Sequence, residues 1–130
     1  FDDVHHTTVR VLTQGLVDLE ILEGDIDSLI EDDAYRPFYM HSTSHWLGMD
    51  VHDVGRYRDS EDSVELIPGM CFTVEPGLYL APDNEDIPKP LRGIGIRIED
   101  DILITADGHN NLSGHIPTDP DALESIIGSS

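Results

Sequence analysis

Residues 70–80 read MCFTVEPGLYL, and this segment predicts the strand on which the fold depends. Its β-branched and aromatic residues favour extended structure, and a Pro-Gly turn signal comes directly before it. Alternation along the strand places Phe72 and Val74 on one face and Glu75 on the opposite face. A carboxylate inside an apolar strand needs a partner, so Glu75 is the first candidate site residue.

A second strand is predicted over residues 93–99, which read GIGIRIE, and it continues over residues 102–105. Its isoleucines share one face, which we expect to lie in the core: Ile94, Ile96 and Ile98. The other face carries Gly95, Arg97 and Glu99, a small residue followed by a cation and an anion. That combination suits a functional site better than a face that only meets solvent.

Residues 41–55 read HSTSHWLGMDVHDVG and contain three histidines, two glycines and no lysine or arginine. This composition disfavours helix and strand, so we expect a loop that holds side chains in place. Neutral imidazole is the commonest metal ligand and the usual proton carrier near neutral pH. The four-residue spacing of His41 and His45 is a weak signal alone, because helical turns produce such pairs by chance.

A helix is predicted before this loop, over residues 2–22, and Gly24 is its expected C-cap. Its apolar stripe has six members: Val4, Thr8, Val11, Leu12, Leu16 and Leu19. Gly15 inside the helix indicates close packing. His5 and His6 lie in the first turn, where we expect them to be exposed and to have no ligand role.

A second, shorter helix is predicted to begin at Asp25 as its N-cap and to reach residue 34. Three apolar residues are expected on its inner side: Ile26, Leu29 and Ile30. One further helical turn is predicted over residues 122–127. The two main helices and the strands together indicate a mixed domain of helices and sheet.

The composition narrows the function. A net charge of −20 on 130 residues argues against nucleic acid as a partner, because phosphate binding needs a cationic face. No apolar run approaches the length of a membrane span, so no membrane partner is expected. Cys71 is the single cysteine, which makes an internal disulfide impossible, fits a cytoplasmic setting and indicates a buried structural thiol.

His45, Glu75 and Glu99 form a candidate metal-binding group if the two strands are neighbours in one sheet. Two carboxylates in one cleft repel each other, and a divalent cation between them removes that repulsion. Hard carboxylate oxygens with one imidazole suit Mn²⁺, Mg²⁺ or Co²⁺ better than a thiolate-type zinc site. The alternative is that each glutamate pairs with an arginine, and Arg97 is an available partner.

Three motifs in this order are specific: HSTSHWLGMDVHDVG, GMCFTVEPGLYL and GIGIRIEDDILIT. Together they resemble the C-terminal part of bacterial aminopeptidase P, a member of the pita-bread metallopeptidases with prolidase and methionine aminopeptidase. The resemblance implies an α+β fold in which two helices pack on a curved, mostly antiparallel sheet. It also implies that residues 1–130 are the second half of the catalytic domain of a creatinase/aminopeptidase fold.

The resemblance implies three metal ligands, His45, Glu75 and Glu99, with Glu75 also handling the proton of the attacking water and Glu99 bridging two metals. It implies that His52 stabilises the substrate carbonyl and the tetrahedral intermediate, and that His41 lines the substrate pocket. Arg97 is implied to orient a metal-binding aspartate.

The implied activity is Mn²⁺-dependent cleavage between an N-terminal residue and a following proline, so the implied partners are peptides with proline second. Two further aspartate ligands of the family lie upstream of the first helix, so we expect the isolated chain to be inactive. We also expect it to form a homo-oligomer through an uncovered sheet edge. The alternatives are a prolidase, which cleaves only Xaa-Pro dipeptides, and a non-catalytic binding protein that keeps the fold.

Overall fold

The computed structural model describes residues 1–128 and shows helices combined with antiparallel sheets, which confirms the α+β class. These described residues form three α-helices: α1 (Asp2–Asp18), α2 (Ile26–Glu31) and α3 (Pro120–Ile127). Seven strands lie between α2 and α3: β1 (Arg58–Asp59), β2 (Asp62–Ser63), β3 (Cys71–Val74), β4 (Gly77–Tyr79), β5 (Gly95–Arg97), β6 (Asp100–Thr105) and β7 (Gly108–Asn111). A 3₁₀ turn occupies Lys89–Leu91.

Helix α1 ends four residues before the predicted end, and Gly24 is not its C-cap. Leu19 is the C-cap residue, and Glu20 beyond it has a left-handed φ of 58°. The amide of Ile21 donates to the Leu16 carbonyl at 2.9 Å, and that of Glu20 donates to the Val17 carbonyl at 3.0 Å. These two bonds form a Schellman motif, in which the left-handed residue is usually glycine. Because glutamate occupies that position here, the sequence gives no signal for the end of the helix.

The buried face of α1 is rotated from the predicted stripe, because its buried residues are Thr8, Val9, Thr13 and Leu16. Val11 of the predicted stripe is exposed. Gly15 does not mark close packing, since a Cβ there would have no atom within 4 Å. Thr13 is buried without penalty because its hydroxyl donates to the Val9 carbonyl at 2.7 Å.

Helix α2 begins where the sequence predicts, since the Asp25 side chain accepts a hydrogen bond from the Ser28 amide at 3.1 Å. The helix ends at Glu31, and turns continue the chain to Phe38. Phe38 and Tyr39 are buried in a core that α1 and the chain around β4 complete. Its members are Val9, Leu16, Ile21, Tyr35, Phe38, Tyr39, Leu80 and Ile87.

Both predicted long strands are interrupted, and their halves belong to different sheets. The segment over residues 70–80 forms β3 and β4, and the segment over residues 93–105 forms β5 and β6. Strand β3 pairs with β6, which also pairs with β7, whereas β4 pairs with β5. All pairs are antiparallel, and β1 with β2 forms a separate two-stranded ribbon.

The isoleucines around β5 do not lie in the core, so that prediction is wrong for the described chain. Ile94, Ile96 and Ile98 are 41%, 58% and 45% exposed. Alternation correctly places them away from Arg97, but no described residue covers their face.

A second cluster of side chains connects the loop after Tyr39 to β3. Phe1, Trp46, Tyr57 and Phe72 pack ring against ring, with centroids 4.7 to 6.2 Å apart. Cys71 beside them is partly buried, and burial raises the pKa of its thiol. Within residues 1–128, no helix has both the length and the apolar character needed to cross a membrane.

Candidate metal centre

The two candidate glutamates lie where both ladders are interrupted. The β3–β6 ladder ends at Val74 opposite Asp100, and the β4–β5 ladder begins at Gly77 opposite Arg97. Glu75 and Glu99 lie in this gap, beside Pro76, which has no amide hydrogen to continue a ladder. The interruption therefore brings two carboxylates from distant parts of the sequence to one place.

The histidine loop reaches this gap because its first residues run along β3. The Glu75 amide donates to the Thr43 carbonyl at 2.8 Å, and the Thr73 amide donates to the His45 carbonyl at 3.0 Å. The Leu47 amide donates to the Cys71 carbonyl at 3.1 Å. These backbone bonds fix His45 beside Glu75.

The side chains of His45, Glu75 and Glu99 converge. Each offers one ligand atom, and these atoms all lie within 4.8 Å of one another. His45 Nε2 is 3.2 Å from Glu75 Oε1. Glu75 is buried, His45 is half-buried and Glu99 is exposed, so the group opens to solvent on the Glu99 side.

The donor set fits a divalent metal. His45 Nδ1 lies 3.1 Å from the Trp46 carbonyl oxygen, and a carbonyl can only accept, so Nδ1 donates. In the neutral ring Nε2 is then an acceptor that faces the acceptor oxygen of Glu75. A cation between these atoms resolves that conflict, and one imidazole with carboxylates suits hard divalent metals.

A cleft of about 640 Å³ opens beside the cluster, and five of the six predicted site residues line it: His41, His45, His52, Glu75 and Arg97. The ring of His52 is exposed and meets the ring of His45 edge-on, with centroids 4.4 Å apart. The sixth, Glu99, joins through the ligand cluster. The structure therefore brings all six predicted residues to one region.

Each carboxylate oxygen of Glu75 has different partners, and one of them is Arg97, which was the alternative to a metal-binding role. Its Oε1 accepts a hydrogen bond from Thr73 Oγ1 at 3.1 Å and faces His45. Its Oε2 lies 3.5 Å from Arg97 Nη1. Glu75 therefore contacts both the imidazole and the arginine. Among residues 1–128, Arg97 has no aspartate in an ion pair, and its carboxylate partner is Glu75.

Residues 1–106 match the sequence model of Peptidase_M24, which is metallopeptidase family M24. The chain belongs to metallopeptidase family M24.

Three similar relatives within M24 are all named as aminopeptidases. The chain is 53% identical over 125 residues to the Xaa-Pro aminopeptidase of Escherichia coli strain K12, covering 96% of this chain and 28% of that protein. It matches the solved structure of Pseudomonas aeruginosa aminopeptidase PepP at a TM-score of 0.93 and 51% identity, covering 98% of this chain and 29% of that one. Zn-substituted E. coli aminopeptidase P in complex with product matches at a TM-score of 0.83 and 55% identity, covering 92% and 27%.

These matches confirm the resemblance to aminopeptidase P and the pita-bread fold. The chain spans less than three tenths of the length of these M24 relatives.

The M24 chain places His5 differently from the prediction. His5 is half-buried and lines the cleft, and its Nδ1 is 2.8 Å from Thr43 Oγ1. Burial, followed by the charge of His6, lowers the pKa of His5. The Tyr39 hydroxyl lies 2.6 Å from the same threonine oxygen, and burial raises the pKa of Tyr39. His6 is exposed, as predicted.

The sequence did not single out two residues that contact members of this site, Thr73 and Tyr79. Thr73 donates to Glu75 and also accepts from the His45 amide at 3.2 Å. Tyr79 contacts both His41 and Arg97. The signal was available, because residues two before and four after Glu75 share its face in an extended segment.

Proposed function

We propose that the protein carrying this chain is a Mn²⁺-dependent Xaa-Pro aminopeptidase that hydrolyses the bond between an N-terminal residue and a following proline. The observation that carries this proposal is the convergence of His45, Glu75 and Glu99 at the ladder interruption of an M24 chain. The names of the relatives support the substrate class, since the E. coli protein is a Xaa-Pro aminopeptidase. The single cysteine is in keeping with a cytoplasmic enzyme.

His45, Glu75 and Glu99 would hold the metal through one nitrogen and carboxylate oxygens. Bound divalent ions lower the pKa of a coordinated water and supply hydroxide near neutral pH. Manganese is our choice because the donor set is hard. One relative has been solved in a zinc-substituted form, so zinc enters at least one enzyme of this kind.

The chain's own residues divide the remaining work. Glu75 accepts a proton from the attacking water and passes it to the leaving proline nitrogen, which is the role of a positioned general base and acid. His52, exposed in the cleft, donates to the substrate carbonyl oxygen as negative charge develops there. His41 lines the pocket for the peptide, and Arg97 orients Glu75.

The isolated chain is expected to be inactive and to bind Mn²⁺ weakly. The resemblance implies a binuclear site with two aspartates in addition to the three ligands proposed here, and we propose that residues 1–130 supply the C-terminal part of the catalytic domain. Titration of the purified chain with Mn²⁺ tests this. Metal-dependent turnover by the chain alone would contradict it.

The function is tested with the complete reading frame, loaded with Mn²⁺ and given the tripeptide Ala-Pro-Ala and the dipeptide Ala-Pro. We expect release of the N-terminal alanine from the tripeptide. Cleavage of the dipeptide alone would make the protein a prolidase, and tripeptide binding without turnover would make it a non-catalytic module.

A matched pair of variants assigns the activity to the cluster. Glu75→Gln removes one charge and keeps the shape, and we expect at least a 100-fold loss of kcat, because general acid–base catalysis contributes about that much or more. Glu124→Gln makes the same change on exposed helix α3 and should keep full activity. Equal activity of the two variants would remove Glu75 from the mechanism.

We also propose that the chain self-associates as a homo-oligomer. The support is the exposed face formed by Ile94, Ile96 and Ile98, which no described residue covers. Light scattering of the purified chain over a concentration series tests this proposal. A monomer at every concentration would contradict it.

A further inference from the structure

His5 is a half-buried histidine of helix α1 that lines the cleft but does not belong to the metal-binding group. Its Nδ1 atom lies 2.8 Å from Thr43 Oγ1, whereas its Nε2 atom has no hydrogen-bond partner among residues 1–128. The two nitrogens lie on opposite sides of the imidazole ring. Because Nδ1 faces the buried Thr43, Nε2 is directed away from the protein interior and is left for a ligand in the cleft.

The Thr43 hydroxyl connects His5 to a second buried hydroxyl. The Tyr39 hydroxyl oxygen is 2.6 Å from Thr43 Oγ1, and Tyr39 and Thr43 are each 1% exposed. Thr43 is the hydrogen-bond partner of the Tyr39 hydroxyl among the described residues. A buried phenol proton without an acceptor is costly, so Tyr39 donates to Thr43. Burial also raises the pKa of Tyr39, so its hydroxyl keeps that proton at neutral pH.

This direction fixes the proton on His5. Thr43 Oγ1 accepts from Tyr39 and donates its own single proton to His5 Nδ1. Burial, followed by the charge of His6, lowers the pKa of His5, so the ring is neutral above the ordinary histidine value of about 6.5 and carries one proton. Because Nδ1 is an acceptor, that proton is on Nε2. His5 therefore offers an N–H donor to the cleft.

Thr43 also places this donor beside the metal-binding group. Its carbonyl oxygen accepts a hydrogen bond from the Glu75 amide at 2.8 Å, while its hydroxyl contacts His5. His5 and Glu75 both line the cleft of about 640 Å³. One buried threonine thus ties helix α1 to the strand segment that carries the candidate general base.

A peptide with proline second needs donors on the protein more than acceptors. The proline nitrogen carries no hydrogen, so the bond to be cleaved cannot donate to the cleft. The main-chain oxygens of the peptide remain as its hydrogen-bonding groups around that bond. The Nε2–H of His5 is a donor suited to such an oxygen, and the proposed function gives it no other task.

We propose that His5 is a substrate-binding residue whose Nε2–H donates a hydrogen bond to a main-chain oxygen of the bound peptide, with Thr43 and Tyr39 holding the proton on that nitrogen. This inference rests on the proposed function, because it names a contact for the Xaa-Pro peptide. The contact contributes to binding and not to the reacting atoms. Its loss should therefore raise KM and leave kcat unchanged.

The first test separates the ring of His5 from its donor in the complete Mn²⁺-loaded protein, with Ala-Pro-Ala as substrate. His5→Phe keeps an aromatic ring without nitrogens, and KM should rise about three- to tenfold with kcat within about twofold, as for the loss of one hydrogen bond. His5→Gln carries an amide donor near the place of Nε2 and should recover most of the affinity. His109→Phe, on the exposed strand β7, is the matched control and should behave as the wild type.

Comparison of the free acid Ala-Pro-Ala with its C-terminal amide locates the oxygen that His5 binds. An equal rise of KM for both peptides in His5→Phe assigns an internal carbonyl, and a rise confined to the free acid assigns the terminal carboxylate. No rise with either peptide would overturn the inference. So would a loss of kcat at unchanged KM, or an equal rise of KM in His109→Phe.

A second measurement does not depend on activity. In the 130-residue chain labelled with nitrogen-15 at histidine, the NMR shifts of the two His5 nitrogens at pH 7.5 should show the proton on Nε2. Thr43→Val removes the hydroxyl and keeps the shape, and it should release the ring to a mixture of both tautomers. Thr13→Val removes a buried hydroxyl inside α1 and should leave His5 unchanged. A proton on Nδ1 in the wild type would overturn the inference.

The two proposals fail in different ways. A complete wild-type protein that binds Ala-Pro-Ala without cleaving it would contradict the proposed function, while calorimetric binding of the peptide to wild type and His5→Phe would still decide the role of His5. An active wild type with an unchanged KM in His5→Phe would contradict only the role of His5. A wild type that binds no Xaa-Pro peptide would contradict both.

Discussion

The two ladders that meet at the metal-binding group bury their residues very differently. In β3, Phe72 and Thr73 are 2% and 1% exposed, and the strand has the histidine loop on one side and β6 on the other. In β5, every residue is exposed, and its only strand partner among the described residues is β4. One wall of the cleft is thus packed within the chain, and the other is only hydrogen-bonded.

The two walls therefore differ in what holds their site residues in place. The β3 wall carries His45 and Glu75 and is held by buried side chains, so these two groups are positioned by the chain itself. The β5 wall carries Arg97 and leads to Glu99, and its apolar face lacks a covering layer. We expect mutations in the two walls to have unequal consequences.

The largest effect is expected for Phe72→Ala, which removes a buried ring from the packed wall. Loss of the ring and the cavity it leaves should lower the free energy of unfolding by about 3–5 kcal/mol. Ile96→Ala on the exposed wall should change it by less than about 0.5 kcal/mol. Urea unfolding of the two variants, followed by circular dichroism, measures both values.

Unfolding of Phe72→Ala and Ile96→Ala should be measured at several protein concentrations, because self-association could contribute to the apparent stability. If the chain self-associates through the isoleucine face, Ile96→Ala should weaken association while leaving the unfolding of the dilute chain unchanged. Similar losses for the two substitutions in dilute solution would show that the β5 wall is packed after all, and the comparison would be wrong.

The same contrast explains which parts of the fold could be predicted. Alternation gave the correct face for Ile96 and for Arg97, because side-chain direction along a strand is a local property. Burial is not local, since it depends on what lies over the face, and no described residue covers this one. The end of α1 was missed for a different reason: Glu20 occupies a left-handed position where the rules expect glycine.

The residues of the candidate site could be predicted from the sequence more fully than the burial of the strands. Glu75 and Glu99 were recognisable because carboxylates are out of place in apolar strands, and His45 because of its loop. The structure adds that both glutamates lie where the ladders break. His5 was missed since nothing in its helix predicts that Thr43, 38 residues later, returns to contact it.

An intermediate effect is expected for Gly77→Ala in β4. The new methyl group would overlap the Tyr79 hydroxyl and approach the Ile96 carbonyl oxygen at 3.1 Å, so the ladder or the tyrosine must shift. Overpacking of this kind costs about 1–3 kcal/mol. Thermal unfolding measures the cost, and the exchange rate of the Arg97 Nε–H proton should rise as Tyr79 is displaced.

Gly95→Ala is the matched control, because it adds the same methyl group to the partner strand at an ordinary contact distance of 3.5 Å. It should cost less than Gly77→Ala and leave Arg97 exchange nearly unchanged. If Gly95→Ala lowers the unfolding temperature more than Gly77→Ala does, the close contact between Gly77 and the Tyr79 hydroxyl does not determine the cost of a side chain at position 77.

The smallest effect is expected from pH, through His5 on the packed side of the cleft. Burial and then His6 lower the pKa of His5 in the folded chain, Arg36 and His41 add to this lowering, and Asp2 opposes it in part. The unfolded chain therefore binds this proton at higher pH, near the ordinary histidine pKa of about 6.5, and folding loses stability as the pH falls below that value.

Unfolding of the wild type at pH 7.5 and pH 5.5, compared with His5→Gln, isolates this contribution, because the many carboxylates titrate alike in both proteins. The decrease in stability should be smaller in His5→Gln. His109→Gln, which changes an exposed histidine on β7, should keep the wild-type decrease. An equal decrease in all three proteins would mean that His5 takes up its proton as easily in the folded chain as in the unfolded one. The packed side of the cleft would then be more open to water than the contact with Thr43 implies.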